Sequence, residues 1–303
     1  MQKCDGGFVM SFLAQWHRRV KVTGSVSCLG LDPVFERIPV KKDSVQETIE
    51  QFLVGVLESA ESANALPSAV KPNIAFFAQY GFDGLHALAR VIAVAHEMNL
   101  VVVLDAKRGD IGATSEAYAR EVFEVWKADG VTVAPYMGFD SVSPFLEAAQ
   151  KTGKCVFVLC RTSNPGARDI QNLKLAGGSF LFNEMAKKIV QWGANSDGNL
   201  GAVVGATSKS ELAELAQFFG SQKTPFPFLI PGVGAQGAKA SDVLQTLSNA
   251  AFPVSNALIN SGSAILYAHE KNKQVSSGRA VLQALQSHIL ETKIEFWEKT
   301  QLF

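Results

Sequence analysis

The sequence predicts a (β/α)8 barrel, and two observations carry that expectation. Eight short β-rich runs recur along 303 residues with amphipathic stretches between them, the order that a chain of β-then-α units requires. These runs are nearly all apolar rather than alternating, as strands are when both faces of a parallel sheet are covered. An open doubly wound sheet is the second choice on the same pattern.

In chain order, an additional N-terminal helix is expected near Phe8 to Arg19, ahead of a first strand at Ser25 to Leu31. Strands two to four are expected at Ala69 to Ala75, Val101 to Asp105 and Val131 to Pro135. Strands five to eight follow at Cys155 to Cys160, Gly201 to Ala206, Phe226 to Pro231 and Ala257 to Asn260. Helical periodicity fills the gaps at Asp43 to Ala63, Asp83 to Met98, Ser115 to Lys127 and Ser141 to Lys151. It returns at Phe180 to Trp192, Ser208 to Phe219 and Ala240 to Ala250, and a last helix, Val275 to Phe296, follows strand eight after a polar connection. Nothing in composition divides the chain, so residues 1–303 read as one domain.

Lys+Arg and Asp+Glu are equal at 28 each. Zero net charge offers no bulk attraction to nucleic acid or an anionic membrane, so an anionic ligand must be held locally and a small molecule is the expected partner. No apolar run reaches the roughly 18 residues of a membrane span, and the N-terminus lacks a signal pattern. A cytoplasmic location is expected. Of four cysteines, Cys28, Cys155 and Cys160 lie in or at the ends of apolar runs and read as small buried hydrophobes. Cys155 and Cys160 would point to opposite faces of one strand, which argues against a shared metal.

Charges and glycines gather at the C-terminal ends of the strands, where barrel enzymes build their sites. Strand one ends in Leu31-Asp32-Pro33, strand two carries Lys71-Pro72-Asn73, and strand three runs into Asp105-Ala106-Lys107-Arg108-Gly109-Asp110. Strand five leads into Arg161-Thr162-Ser163-Asn164-Pro165-Gly166 and strand eight into Asn260-Ser261-Gly262-Ser263. Asp105 and Lys107 are two apart at a strand end and should touch. Taken alone, such a pair reads as a structural ion pair. With Asp110, Lys71 and Asp32 close by, carboxylates favour the ammonium form of Lys107 and leave it poised as a proton donor. Gly109 is expected to allow a sharp turn after the charged run, and Thr114-Ser115-Glu116 to supply helix-capping side chains. After strand seven, Gly232-Val233-Gly234-Ala235-Gln236-Gly237 offers backbone N–H groups for a phosphate. His17, His86, His96, His269 and His288 fall mostly in helical stretches and receive no catalytic or metal role.

Six ordered segments resemble the orotidine 5′-phosphate decarboxylase family, in its longer bacterial-type branch. They are CLGLDP at Cys28 to Pro33, KPNIAFF at Lys71 to Phe77, LDAKRGDIGAT at Leu104 to Thr114, PYMGFDSVSPFL at Pro135 to Leu146, LCRTSNPGA at Leu159 to Ala167 and LIPGVGAQG at Leu229 to Gly237. The resemblance implies conversion of orotidine 5′-monophosphate to UMP and CO₂, the last step of UMP synthesis, with no metal or organic cofactor. It implies that Lys107 protonates the carbanion left at C6, beside Asp105, with Asp32 and Lys71 binding the ribose hydroxyls and completing the charged array. It also implies a homodimer with shared active sites, in which Asp110, with Ile111 and Thr114 beside it, reaches into the other subunit's site. Ser163 would contact the pyrimidine, Gln236 would help close the strand-seven loop over the phosphate, and Gly262 and Ser263 would be substrate-binding positions.

Two departures from the family pattern stand out. Ser263 occupies the place of a phosphate-gripping arginine, and Gly237-Ala238-Lys239 stands where a second glycine and an acid are usual. Lys239 is therefore a candidate for part of the missing charge, although an ammonium lacks the guanidinium fork. The alternative is a catalytically weakened nucleotide-binding barrel. A sister barrel working on a sugar phosphate with Mg²⁺ is disfavoured by Lys71-Pro72-Asn73 and by the Thr162 to Gly166 loop.

Overall fold

The computed structural model describes residues 10–294. Eight parallel strands close into a barrel in sequence order, β1 (Ser27–Leu31), β2 (Ala69–Pro72), β3 (Val101–Arg108), β4 (Gly130–Val133), β5 (Cys155–Arg161), β6 (Leu200–Val204), β7 (Phe228–Ile230) and β8 (Ala257–Ser261). Closure is made by β8 on β1, with Cys28 opposite Asn260. Around the barrel run α1 (Phe12–Thr23), α2 (Val45–Ser62), α3 (Ile74–Ala78), α4 (Gly81–Glu97), α5 (Gly112–Arg120) and α6 (Phe139–Thr152). They continue as α7 (Ala167–Ile170), α8 (Leu181–Trp192), α9 (Lys209–Gly220), α10 (Ala240–Asn249), α11 (Ser263–Leu266) and α12 (Ser277–Glu291). No helix among the described residues is long and apolar enough to cross a membrane.

Local chemistry sets the element ends. Ser44 caps α2 by accepting the Glu47 N–H at 3.1 Å. Strand two ends earlier than its apolar pattern suggests: Pro72 has no N–H for the ladder, and Asn73 caps α3 by accepting the Ala75 N–H at 3.1 Å. Helix α5 starts at Gly112, before the expected Ser115, and passes into a π-helical turn over Glu121–Val125. The polar connection after β8 contains α11. The first and last predicted helices were expected to begin at Phe8 and end at Phe296, positions outside the described residues.

The barrel interior is filled from below. Phe157 on β5 lies between Gly130 and Gly201, where added Cβ atoms would approach its ring to 3.0 and 3.1 Å. Phe12 of α1 packs edge-on against it at 5.6 Å between centroids, and the Trp16 indole N–H donates to the Ser255 carbonyl at 2.7 Å. Helix α1 thus closes the floor and leaves the C-terminal mouth as the open end.

Candidate active site

At that mouth lies a cavity of about 630 Å³ reached by residues from most of the strands. Its centre is the end of β3. Asp105, 8 % exposed, accepts from Lys71 Nζ on Oδ2 at 2.8 Å and from Lys107 Nζ on Oδ1 at 2.6 Å. The expected contact between Asp105 and Lys107 is present, but the backbone between them is not a plain strand. The β3–β4 register shifts between Leu104 and Arg108, and Lys107 has φ 44°, in the left-handed region. The glycine expected to make the turn, Gly109, has no positive φ; it instead allows close packing on Ala134, 3.3 Å from an added Cβ. The left-handed turns fall at Lys107 and Gly112.

Burial opposes ionisation of Asp105, yet the adjoining Lys71 and Lys107 ammoniums outweigh it and hold the carboxyl well below its usual range. Burial likewise disfavours the Lys71 ammonium, but Asp105 and Asp32 outweigh it and raise its pKa. At Asp32 burial dominates over Lys71 and shifts the carboxyl upward. The arrangement is a fixed row of alternating charge sunk into a polar cavity, able to stabilise charge that develops in a ligand above it.

Asp32 is carried to this row by close packing of β1 on the end of β8. An added Cβ on Gly30 would fall 2.9 Å from Gly262 Cα, and one on Gly262 would fall 3.4 Å from Asp32 Oδ2. Tyr267 secures the same turn, its hydroxyl donating to the Asp32 carbonyl at 3.1 Å and accepting the Val34 N–H at 2.7 Å. Ser163 and Gln236 meet around Gly232, whose added Cβ would lie 3.2 Å from Ser163 Cβ and 3.3 Å from Gln236 Oε1. Gly232, Gly234 and Gly237 all have positive φ, so this loop needs glycine at three places. Gly262 and Ser263 line the β8 side of the cavity. Lys239 does not line it. With Lys209 it borders an adjoining hollow of about 280 Å³ that shares Gln236.

Asp110, Ile111 and Thr114 are not brought into this cavity. They sit on the loop and first turn after β3, with Ile111 53 % exposed. Ser115, 0 % exposed, does not cap α5; its hydroxyl donates to the Asp110 carbonyl at 2.5 Å and holds that loop. Thr132, Gln171 and Asn260 are among the lining residues that carried no assignment from sequence. Thr132 contacts Asp105 and the Lys107 backbone. Gln171 pins Thr162 through both halves of its amide, at 2.8 and 2.9 Å. Asn260 keeps Oδ1 buried with no hydrogen-bond partner among the described residues. A threonine inside an apolar run reads as an ordinary β-former, and only pairing with β3 shows what its hydroxyl meets. Among the described residues, no histidine lines the cavity.

A closed (β/α)8 barrel with a Lys–Asp–Lys row across its C-terminal mouth has the architecture of a barrel enzyme with a charged site. The chain belongs to the Orotidine 5′-phosphate decarboxylase / HUMPS family, whose profile matches residues 28–277. It is 39 % identical over 274 residues to orotidine 5′-phosphate decarboxylase of Herpetosiphon aurantiacus, covering 90 % of this chain and 96 % of that protein. The Bordetella pertussis protein of the same name is 41 % identical over 261 residues, covering 86 % of this chain and 90 % of the relative. Among solved structures, OMP decarboxylase of Leishmania donovani superposes with a TM-score of 0.72 at 32 % identity, covering 94 % of this chain and 99 % of that one.

Proposed function

We infer that this chain is a carboxy-lyase that converts orotidine 5′-monophosphate to UMP and CO₂ in pyrimidine biosynthesis. The observation that carries the reading is the Lys71–Asp105–Lys107 row at the cavity floor, in a chain about 40 % identical to proteins of that name. Breaking the C6–CO₂ bond leaves an electron pair on C6. An ammonium already fixed beside that carbon supplies charge where it develops and then a proton, which is transition-state stabilisation rather than tighter substrate binding. In this reading Lys107 is the donor, and Asp105 lies beside the departing carboxylate. Asp32 and Lys71 hold the ribose, and Ser163 meets the pyrimidine. The phosphate, which does not react, anchors the nucleotide at Gln236, Gly262 and Ser263, with Lys239 closing in from the adjoining hollow. The relatives give no support to a weakened nucleotide-binding barrel.

The chain works here as one domain in the cytoplasm, without a metal or organic cofactor. Its partner is a second copy, whose Asp110, Ile111 and Thr114 complete the cavity. Support for that assembly is the exposure of Ile111, Tyr136 and Met137 on loops and of Phe139 at the start of α6, at 53, 90, 44 and 44 %.

The test is the fall in ultraviolet absorbance as orotidine monophosphate is consumed, with metals chelated. The parent turns over, and Lys107→Ala loses at least a thousandfold in kcat, on the scale of about 4 kcal/mol of transition-state stabilisation. A Lys107→Ala variant as fast as the parent removes Lys107 from the reaction. No turnover by the parent removes the assignment itself.

A further inference from the structure

Thr132 is 1 % exposed on β4, where its strand neighbours Gly130, Val131 and Val133 carry no side-chain hydrogen-bonding group. Its hydroxyl accepts the Lys107 N–H at 2.9 Å and donates to Asp105 Oδ1 at 2.9 Å. These two bonds meet an irregularity. Lys107 lies where the β3–β4 ladder shifts register, and its φ of 44° is a conformation that side chains bearing a Cβ rarely hold. Its amide is served by a side chain of the neighbouring strand. Such a conformation persists only where its surroundings over-determine it.

The Asp105 carboxylate is divided by the same hydroxyl. Oδ1 receives Lys107 Nζ and Thr132 Oγ1, and Oδ2 receives Lys71 Nζ. With Oγ1 bound to Oδ1, rotation of the carboxylate is restrained and the two ammoniums are kept on separate oxygens. A single hydroxyl therefore touches both members of the Asp105–Lys107 pair, one through its backbone and one through its side chain.

We propose that Thr132 is a positioning residue for the decarboxylation, holding Lys107 in its left-handed turn and Asp105 in the orientation that separates its two lysines. The proposal rests on the functional reading above and deepens it. A valine in this place has nearly the same shape but leaves the Lys107 N–H and Asp105 Oδ1 each one partner short. A serine keeps the hydroxyl and loses only a methyl.

The experiment compares parent, Thr132→Val and Thr132→Ser in two measurements: kcat and KM for orotidine monophosphate, and hydrogen exchange at the Lys107 amide. Thr132→Val is expected to lower kcat by about tenfold or more with KM within about twofold, the split for an interaction that acts in the transition state. It is also expected to speed exchange at Lys107. Thr132→Ser keeps most of both properties. If Thr132→Val does not fold, Thr132→Ala against Thr132→Ser makes the same comparison. The proposal is overturned if the hydroxyl-free variant matches the parent in kcat and amide exchange, or if Thr132→Ser is as impaired as Thr132→Val. A parent that does not turn over refutes the functional reading, and amide exchange still decides whether Thr132 holds Lys107.

Discussion

Among the described residues, the cationic side chains lining the cavity are Lys71 and Lys107, and both are engaged by Asp105. The end of the cavity proposed to take the phosphate, by contrast, is lined by glycine loops, Gln236 and Ser263. A guanidinium introduced there would form a two-pronged contact that backbone N–H groups do not replace. Ser263→Arg is expected to lower KM for orotidine monophosphate by roughly tenfold to a hundredfold with kcat little changed, from about 1.5–3 kcal/mol for a hydrogen bond to a charged group. Steady-state kinetics check this, and an unchanged KM would show that the phosphate is already fully held. The serine could be read from sequence. The geometry that places Lys239 in the adjoining hollow could not, because it depends on how Gly234 and Gly237 curl the loop.

Helix α12 is tied to the barrel by His288, which is 5 % exposed and donates from Nε2 to the Ile259 carbonyl on β8 at 3.1 Å. Burial, only partly offset by backbone hydrogen bonds, lowers its pKa from 6.5 to about 4. Between those values the unfolded chain binds a proton that the folded chain refuses. The stabilisation is therefore fully present above pH 6.5 and is lost as pH falls toward 4, to the extent of about 3 kcal/mol. His288→Gln should flatten this dependence, so its melting temperature falls less between pH 7 and pH 4.5 than the parent's; equal slopes would place the acid sensitivity elsewhere. The elements themselves were largely legible in the sequence, since strands covered on both faces leave unbroken apolar runs. Errors came where one side chain overrides the pattern: Pro72 with Asn73 ends β2, and Ser115 serves the Asp110 loop instead of capping α5. In the site, Asp32, Lys71, Asp105 and Lys107 could be located from strand ends alone. Thr132, Gln171 and Asn260 could not: the partners of Thr132 lie on another strand, Gln171 meets Thr162 only through the fold of its loop, and the burial of Asn260 Oδ1 shows only once the barrel closes.

Taken as a molecule, the barrel keeps Asp110 and Ile111 out of the lining of its own cavity, and the proposed shared-site dimer makes a quantitative demand. Mixing and reassembling the inactive variants Lys107→Ala and Asp110→Ala in equal amounts should restore about one quarter of parental activity. Half the dimers are then mixed, and each mixed dimer has one intact site. Activity that stays at the level of the separate variants would mean that each copy works alone. The floor of the barrel has a different consequence, for the order of synthesis. Helix α1 is made before the eight strands, yet Trp16 bonds to a residue 239 positions later. At about 5–20 residues per second, roughly 10–50 s pass between the making of the plug and of the rim that receives it. Throughout that interval Phe12, Leu13, Trp16 and Val20, all buried in the finished fold, form a nascent apolar face without its native seat. The barrel is sealed last by a helix made before any of its strands.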